Sequence, residues 1–501
     1  MILLSGDLKA MQIHHRKRQQ LGVALDAFIK GENKKWRQQC EEFLPIIRYN
    51  SIWRFSFEPT NSIPPQGWKL HIAATLLSAN AVFEKVAPWL QRRGSLFKAP
   101  RSLNELQKIN CGLYYGYSQV GKFITIYPQS EKEALFLANK LHALTSTFSG
   151  PCVPFDFRFK PESCVHYRYG SFAQLNIQEP DGSLTPAIKD AEGQLVPDLR
   201  YSQENSFQAP HNPFLRKPPR RAKSSDATPL KTTFRAFRSL TQRGKGGVYQ
   251  AFDFSTEPAR RCILKEGRRL GEVIWDGRDG RWLVEREQKI LKSLSVAGVQ
   301  VPVVYASFEE LGNYYLVLEY VDGENLLDLL LKRRRRLTII QALCLALQIA
   351  NLLEQIHSAG WAWRDLKPAN LLVTRDGSLR PLDFEGASRL GDNERLIWST
   401  PEFTPPRQFG KRRSLGESDD CYALGATLWF LLSGQLLNHE APVPLRKVRP
   451  GVPKSVCLLV EELLVENSRL RAKGIHKKIS RCLSNVRLQS TGSQRQIETT
   501  H

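Results

Sequence analysis

Three polar residues in the second half of the chain have the types and spacing that transfer of a phosphoryl group requires. Asp365 and Asn370 lie in the segment WRDLKPAN, and Asp383 opens the segment DFE that follows it. An aspartate can accept the proton of an attacking hydroxyl, while an amide and a second carboxylate can hold a divalent cation. The set predicts in-line phosphoryl transfer from a nucleoside triphosphate.

Residues further upstream could hold the phosphates of that nucleotide. The turn Gly244-Lys245-Gly246-Gly247 lies between strand-like segments, and its glycines would let backbone amides approach phosphate oxygens. A glycine hairpin without a ligand is the alternative. Lys265 ends the short apolar strand CILK, and Glu287 on a predicted helix is a candidate ion-pair partner for it.

The order of these motifs resembles that of the protein kinase family, over roughly residues 232 to 485. The resemblance implies a bilobal fold that uses ATP or GTP together with Mg²⁺. It makes Asp365 the catalytic base and Lys367 the residue that steadies the transferred phosphoryl group. It further implies nucleotide binding by Gly244, Gly246, Gly247, Lys265, Glu287, Glu319 and Val321, and metal binding by Asn370 and Asp383.

Three positions depart from the kinase pattern. Trp363 stands where a histidine is usual, Glu385 replaces the usual glycine, and Arg407 falls where a glutamate is usual. Asp420, in contrast, matches the buried helical aspartate that braces the catalytic loop. We therefore expect an intact catalytic set in a kinase that is not switched by phosphorylation of its activation loop.

A second group of candidate residues lies in the first half of the chain. In the strand-like segment QGWKLHIAAT, alternation of side chains places Lys69 and His71 on one face and Trp68, Leu70 and Ile72 on the other. A half-buried strand with a solvated polar face is the alternative interpretation of this segment taken alone.

Further cations stand in apolar surroundings: Lys98 in SLFKAP, Lys122 in GKFITIYP and Arg168 in HYRYG. Idle charges seldom occupy such places, so together with Lys69 and His71 they predict a pocket for an anion. A lysine made neutral there can act as a base, and a protonated histidine can act as an acid. This pairing suits β-elimination of phosphate from phosphoserine or phosphothreonine.

The order of these blocks resembles the phosphoserine/phosphothreonine lyase region of class III and class IV lanthipeptide synthetases, over roughly residues 40 to 215, and a kinase follows it as in those enzymes. The resemblance implies that Lys98 is the base and His71 the general acid. It implies phosphate or carbonyl binding by Lys69 and phosphate binding by Lys122 and Arg168.

The same resemblance implies the partners. The substrate would be a precursor peptide with a leader, dehydrated in two steps to dehydroalanine or dehydrobutyrine. No Cys-His set follows the kinase region, so we expect no zinc and a lyase and kinase pair without a ring-forming domain. A separate cyclase is then a candidate partner, and the sequence does not indicate an oligomeric state.

The strand-like and helix-like segments predict an α+β multidomain protein, in which an N-terminal α+β unit precedes a small β lobe and a helical lobe. The two resemblances imply that the first unit is a lyase-like domain and that the two lobes form a bilobal kinase-like fold. The predicted boundaries are 1–205 for the lyase-like domain, 206–232 for a basic Pro/Ser-rich linker, 233–320 for the kinase N-lobe, 321–489 for the C-lobe and 490–501 for a disordered tail.

Composition limits the remaining classes. The 501 residues include 42% hydrophobic types and carry a net charge of +23, which favours anionic partners. We expect neither a membrane span nor a signal peptide, and nine single cysteines indicate reduced thiols and a cytoplasmic protein.

Two alternatives to the dehydratase remain open. The first is a Ser/Thr kinase whose N-terminal half only binds or regulates the substrate. The second is a pseudokinase that binds nucleic acid, suggested by the net charge and by the run of four arginines at 333–336. The intact catalytic set argues against the second, so nucleic acid is not an expected partner.

Overall fold

The structure is a computed structural model that describes residues 4–58, 63–172, 175–190, 192–199, 201–203, 209, 211–214, 228–333, 335–392, 400–406, 416–439, 443–465 and 471–498, with the backbone alone for 4–23 and 489–498. The chain divides into two compact units, residues 1–285 with 307–316 and residues 286–306 with 317–501. The first kinase strands therefore belong to the same unit as the lyase-like region, a division that differs from the predicted domain boundaries.

The first part of the chain folds into helices packed on antiparallel sheets. Its helices are α1 (Leu4–Phe43), α2 (Ala79–Arg92), α3 (Leu103–Cys111) and α4 (Glu131–Leu144). Its strands are β1 (Ile46–Ile47), β2 (Trp53–Phe55), β3 (Gln66–Ile72), β4 (Phe97–Pro100), β5 (Ile124–Ile126), β6 (Phe157–Arg158), β7 (Val165–Ser171), β8 (Asn176–Gln178), β9 (Leu184–Lys189) and β10 (Leu195–Pro197).

Strands β1 to β7 form one seven-stranded sheet in the order β1-β2-β4-β5-β3-β7-β6, and β8 to β10 form a small separate sheet. The predicted alternation along β3 is confirmed, because Trp68, Leu70 and Ile72 are at most 2% exposed and belong to the hydrophobic core. Residues of α1 to α4 complete that core. A shift of one residue in register would turn these three side chains out of it, so the core fixes which face carries Lys69 and His71.

Two serines start helices of this domain. Ser102 accepts a hydrogen bond from the Glu105 amide at the start of α3, and Ser130, the predicted cap of α4, accepts one from the Glu133 amide. Caps of this kind contribute about 1 kcal/mol each.

The second part of the chain has the strand and helix order of a kinase. Its helices are α5 (Pro229–Thr232), α6 (Gly280–Val296), α7 (Leu326–Lys332), α8 (Ile339–Ser358), α9 (Glu417–Ser433), α10 (Leu445–Val448), α11 (Lys454–Leu463) and α12 (Ala472–Glu498). Its strands are β11 (Phe234–Arg243), β12 (Gly246–Asp253), β13 (Arg260–Gly267), β14 (Val304–Glu310), β15 (Asn313–Glu319), β16 (Gly323–Asn325), β17 (Trp361–Ala362), β18 (Leu371–Thr374), β19 (Leu379–Pro381) and β20 (Ser388–Arg389).

Strands β11 to β15 form a five-stranded sheet in the order β11-β12-β13-β15-β14. Small sheets β16-β18-β19 and β17-β20 flank the segment that carries Asp365. Helix α8 begins at a capping box made by Thr338 and Gln341, and nine of its residues are buried. The helices of this part therefore supply a second core beneath the predicted catalytic loop.

Helix α8 is also long and apolar enough to cross a membrane by length and composition, contrary to the expectation that no segment would be. Of its most apolar window, 44% is buried inside the protein. Its apolar residues pack within the helical core, which accounts for its composition without a membrane.

Much of the predicted linker, residues 206–208, 210 and 215–227, lies outside the described residues, and the described part of it contacts the N-terminal core. Within the linker, Ala209 and Phe214 pack against the N-terminal core, and the Trp68 indole donates to the His211 carbonyl. At the other end, α12 continues to Glu498, into the segment predicted as a disordered tail. In both segments the apolar residues stand singly among polar ones, so composition alone did not predict the core contacts or the helix.

Candidate active sites

The predicted catalytic loop has the geometry of a hydroxyl acceptor held in place by neighbours. The Asp365 carboxylate accepts hydrogen bonds from Lys367 Nζ at 2.8 and 2.9 Å and from Asn370 Nδ2 at 2.8 Å. Thr400 donates to the same carboxylate at 3.0 Å and accepts from Lys367 at 2.9 Å. These contacts hold the Asp365 carboxylate in one orientation, as a proton acceptor requires.

Asp420 braces this loop in the predicted way. Its carboxylate accepts the backbone amides of Trp363 at 2.7 Å and Arg364 at 2.6 Å, and lies 2.8 Å from His357 Nε2. Asp420 has no exposed surface, and Arg364 takes a left-handed φ of 67°. A charged acceptor of two amides can hold such a sparsely populated backbone conformation.

Trp363, which stands where kinases usually have a histidine, contacts the segment that carries Asp383. Its indole Nε1 donates to the Asp383 carbonyl at 3.0 Å, and its ring stacks on Phe384 with centroids 5.4 Å apart. Asp383 itself has a left-handed φ of 60°. The tryptophan therefore fixes the position of the predicted metal-binding aspartate.

The residues near Asp383 fit a hard divalent cation. Carboxylate oxygens of Glu287, Asp383 and Glu385 lie within 4.8 Å of one another, and Glu287 accepts the Phe384 amide at 3.1 Å. The Asn370 amide nitrogen donates hydrogen bonds to Asp365, so the side-chain oxygen of Asn370 points away from Asp365. Oxygen donors of this kind suit Mg²⁺.

Three of the residues predicted to hold the nucleotide lie on or next to strands of the five-stranded sheet. Lys265 is 8% exposed on β13, opposite Val248 of β12. Val321 is buried directly after β15, and Glu319 at the end of β15 is bound by Arg380 at 3.1 Å. The pairing of Lys265 with Glu287 stays a prediction, and Arg407 lies outside the described residues.

The glycine turn is packed against protein backbone. The Gly244 amide donates to the Cys111 carbonyl at the end of α3 at 2.9 Å, and a Cβ on Gly244 would lie 1.6 Å from the Asn110 carbonyl oxygen. A Cβ on Gly246 would lie 1.7 Å from the Glu266 carbonyl oxygen, and one on Gly247 would meet the Tyr249 ring. Close backbone contact thus explains Gly244 and Gly246 without a phosphate, the alternative that the sequence left open, whereas Gly247 lies against a side chain.

The N-terminal sheet aligns residues from four separate strands, two of them predicted site residues. In neighbouring strands Lys98 pairs with Thr125, Thr125 with His71, and His71 with His166. Paired residues of an antiparallel sheet point to the same face, so these four side chains form one row, here called the polar row. Strand spacing puts the Lys98 and His71 backbones roughly 10 Å apart.

Lys98, the predicted base, sits among aromatic rings. Its Nζ lies 4.6 Å from the ring centroid of Trp53, 5.8 Å from Phe55 and 5.9 Å from Tyr127. Ring faces attract the ammonium and keep its long side chain in one place. The amine is therefore held at the end of the polar row.

His71, the predicted acid, is buried against a carboxylate. Its Nδ1 lies 2.5 Å from Asp156 Oδ2, and Lys122 Nζ lies 3.9 Å from Asp156 Oδ1. Burial lowers the pKa of His71 to about 3, although Asp156 opposes that shift. Burial alone would favour the neutral acid at Asp156, but Lys122 and His71 hold the pKa of its carboxyl below its usual value.

Lys69 and Arg168 face each other in the next row of the same face. Arg168 is 3% exposed and donates to Asp198 at 2.6 Å, while Lys69 Nζ lies 5.9 Å from the Phe172 ring centroid. All five predicted lyase residues thus lie on or beside one face of the seven-stranded sheet. The buried Asp198 carboxylate compensates the charge of Arg168.

The partners of these residues were not predicted from the sequence. Asp156, Thr125, His166, Asp198 and Thr400 all contact or oppose a predicted site residue. The one available signal was Asp156 between two phenylalanines in PFDFRF, a poor place for an idle charge.

The two halves match two known families. Residues 46–228 match the family described as RamC, N-terminal domain, and residues 249–466 match the protein kinase domain.

Individual relatives match over part of their length. The probable SapB synthase of Streptomyces coelicolor is 31% identical over 374 residues, which are 72% of this chain and 39% of that protein. The serine/threonine-protein kinase PknA of Nostoc sp. is 28% identical over 218 residues, 41% of this chain and 38% of that protein. The chain thus spans about two fifths of the length of these curated relatives.

Proposed function

The chain joins a RamC-type N-terminal domain to a protein kinase domain, and from this we propose that it is a two-step peptide dehydratase. The kinase domain phosphorylates serine or threonine in a precursor peptide with a leader. The N-terminal domain then eliminates the phosphate and leaves dehydroalanine or dehydrobutyrine. The observation that carries the proposal is the polar row. It places Lys98 and His71 on the same sheet face as Lys69 and Arg168.

In the first step Asp365 accepts the proton of the peptide hydroxyl, and the hydroxyl oxygen attacks the terminal phosphorus of ATP or GTP. The bond from that phosphorus to its bridging oxygen breaks, and ADP or GDP leaves with the electron pair. Lys367 lies against Asp365 and balances the charge that gathers on the transferred group. Asn370 and Asp383 would hold Mg²⁺, which when bound neutralises phosphate charge. Glycine-turn contacts to the nucleotide remain part of the proposal, although close protein contacts account for the glycines.

In the second step the Lys98 amine takes the Cα proton of the phosphorylated residue. The electron pair of that C–H bond forms the Cα=Cβ double bond, and the Cβ–O bond breaks with its electron pair going to phosphate. His71 protonated at Nε2 gives its proton to the departing oxygen. Lys69, Lys122 and Arg168 lie on or beside this face, where their charge favours a phosphate dianion.

Cellular setting and partners belong to the same proposal. We place the reaction in the cytoplasm, where nucleotide is available and the nine free cysteines stay reduced. A separate cyclase that consumes the dehydrated peptide remains a candidate partner.

Intact-mass measurement of a Ser/Thr-rich precursor peptide tests the proposal. Incubation with the enzyme, ATP and Mg²⁺ is expected to remove one water from each modified residue. A peptide that stays unmodified contradicts both steps.

A second function, a kinase whose N-terminal domain only binds the peptide, is favoured by one observation. Burial lowers the pKa of His71 to about 3, so in the substrate-free protein its Nε2 carries no proton for a leaving oxygen. Under this alternative the same experiment ends at a stable phosphopeptide.

A further inference from the structure

A carboxylate without exposed surface lies beneath the polar row. Asp156 contacts His71 through one oxygen and approaches Lys122 through the other. It follows Phe155, whose left-handed φ of 65° is unfavourable for an aromatic residue. The surrounding fold therefore imposes the position of Asp156 at a cost in backbone conformation.

The contact determines which nitrogen of His71 carries hydrogen. An ionised carboxylate can only accept, so Nδ1 of His71 donates to Asp156. Nε2 then remains for a substrate, and it has no hydrogen-bond partner among the described residues. His166, its neighbour in the polar row, also carries its hydrogen on Nδ1, because that nitrogen lies 3.1 Å from the Cys164 carbonyl oxygen, which can only accept.

We propose that Asp156 is a positioning residue for the elimination step. It holds His71 as the tautomer that presents Nε2 to the leaving phosphate, and its charge stabilises the imidazolium that delivers the proton. This inference rests on the proposed function of the N-terminal domain.

The charges around the pair set its behaviour with pH. Lys122 and Lys69 disfavour a protonated His71, Asp156 favours it, and Arg168 acts on Asp156. His166 stays neutral beside Arg158, because burial lowers its pKa to about 4. A phosphate dianion adds negative charge next to His71, which raises the pKa of the imidazole in the substrate complex. Asp156 contributes to that rise through its own charge.

Replacement of Asp156 by Asn removes this contribution. The acid form of His71 is required, so kcat for elimination falls as pH rises through the pKa of His71 in the complex. Without the Asp156 charge that pKa is lower, and the fall moves to lower pH. At neutral pH we expect kcat to drop by about 10- to 100-fold, while KM for the phosphopeptide changes little.

The test uses the full chain and a synthetic phosphothreonine peptide without nucleotide, with release of inorganic phosphate followed across pH. Asp253→Asn is the matched control, because Asp253 is a buried carboxylate bound to an arginine outside the polar row. It is expected to leave the pH profile of elimination unchanged. Equal rates and profiles for Asp156→Asn and wild type would overturn the inference alone, whereas a wild type that leaves the peptide intact removes the proposed lyase function as well.

A measurement on the wild type covers the case in which Asp156→Asn does not fold. Nitrogen-15 spectra of labelled histidines, assigned with His71→Gln, are expected to show His71 protonated at Nδ1. A ring protonated only at Nε2 would overturn the inference.

Discussion

Substitution of Lys98 by Met separates the two proposed reactions. Methionine keeps the unbranched apolar stem between the rings of Trp53, Phe55 and Tyr127 but removes the amine. The lost ammonium–ring contacts should lower the free energy of unfolding by about 1–2 kcal/mol, too little to unfold the domain.

The effect on elimination should be much larger. Loss of a general base typically slows its step by about 10²–10⁴-fold, so the lifetime of the phosphorylated intermediate rises by the same factor. Phosphorylation should proceed at the original rate, because Asp365, Asn370 and Asp383 belong to the other compact unit. A time course of intact peptide mass should therefore show phosphopeptide accumulating where the wild type yields alkene.

Lys108→Met is the matched control for Lys98→Met. Lys108 Nζ also lies over an aromatic ring, 5.8 Å from the centroid of Tyr114, but Lys108 is on α3 and outside the polar row. It should leave both reactions unchanged. Alkene formation by Lys98→Met at the wild-type rate would refute the base assignment, and loss of both reactions would show that Lys98 supports the fold instead.

Three further substitutions test other parts of the account. Asp365→Asn should lower phosphate incorporation by about 10²–10⁴-fold yet leave elimination from a synthetic phosphopeptide intact, and full incorporation measured with labelled ATP would refute the kinase assignment. Trp363→Phe removes the indole donor and should reduce the free energy of unfolding by about 0.5–1.5 kcal/mol in a denaturant titration, with Trp363→His restoring part of it; no change would contradict the bracing role. Gly244→Ala forces a Cβ toward the Asn110 carbonyl and should cost about 1–3 kcal/mol, whereas Gly474→Ala, with open space around its Cβ, should not; equal melting temperatures for the two variants would contradict the close packing of the turn.

Local spacing was enough to predict the catalytic loop and the faces of β3. Asp365 and Asn370 are five residues apart, so their hydrogen bond follows from one short segment. The alternation of Trp68, Lys69 and Leu70 follows from strand geometry and burial in the same way. Such features depend on neighbours in sequence and are therefore visible in it.

Features that depend on register or on distant contacts were not predictable. Thr125 joins Lys98 to His71 only because β5 lies between β4 and β3, and no pattern in the sequence states that order. The same holds for the contact of Gly244 with the end of α3. The length of α12 was missed because polar residues dominate its last turns.

The most direct test of the central claim is elimination from a chemically synthesised phosphoserine or phosphothreonine peptide without nucleotide. We expect the wild-type protein to convert it to the dehydrated peptide and to release one inorganic phosphate for each alkene formed. Recovery of the phosphopeptide unchanged, from a preparation that phosphorylates the unmodified peptide, would contradict the assignment of a lyase to the N-terminal domain.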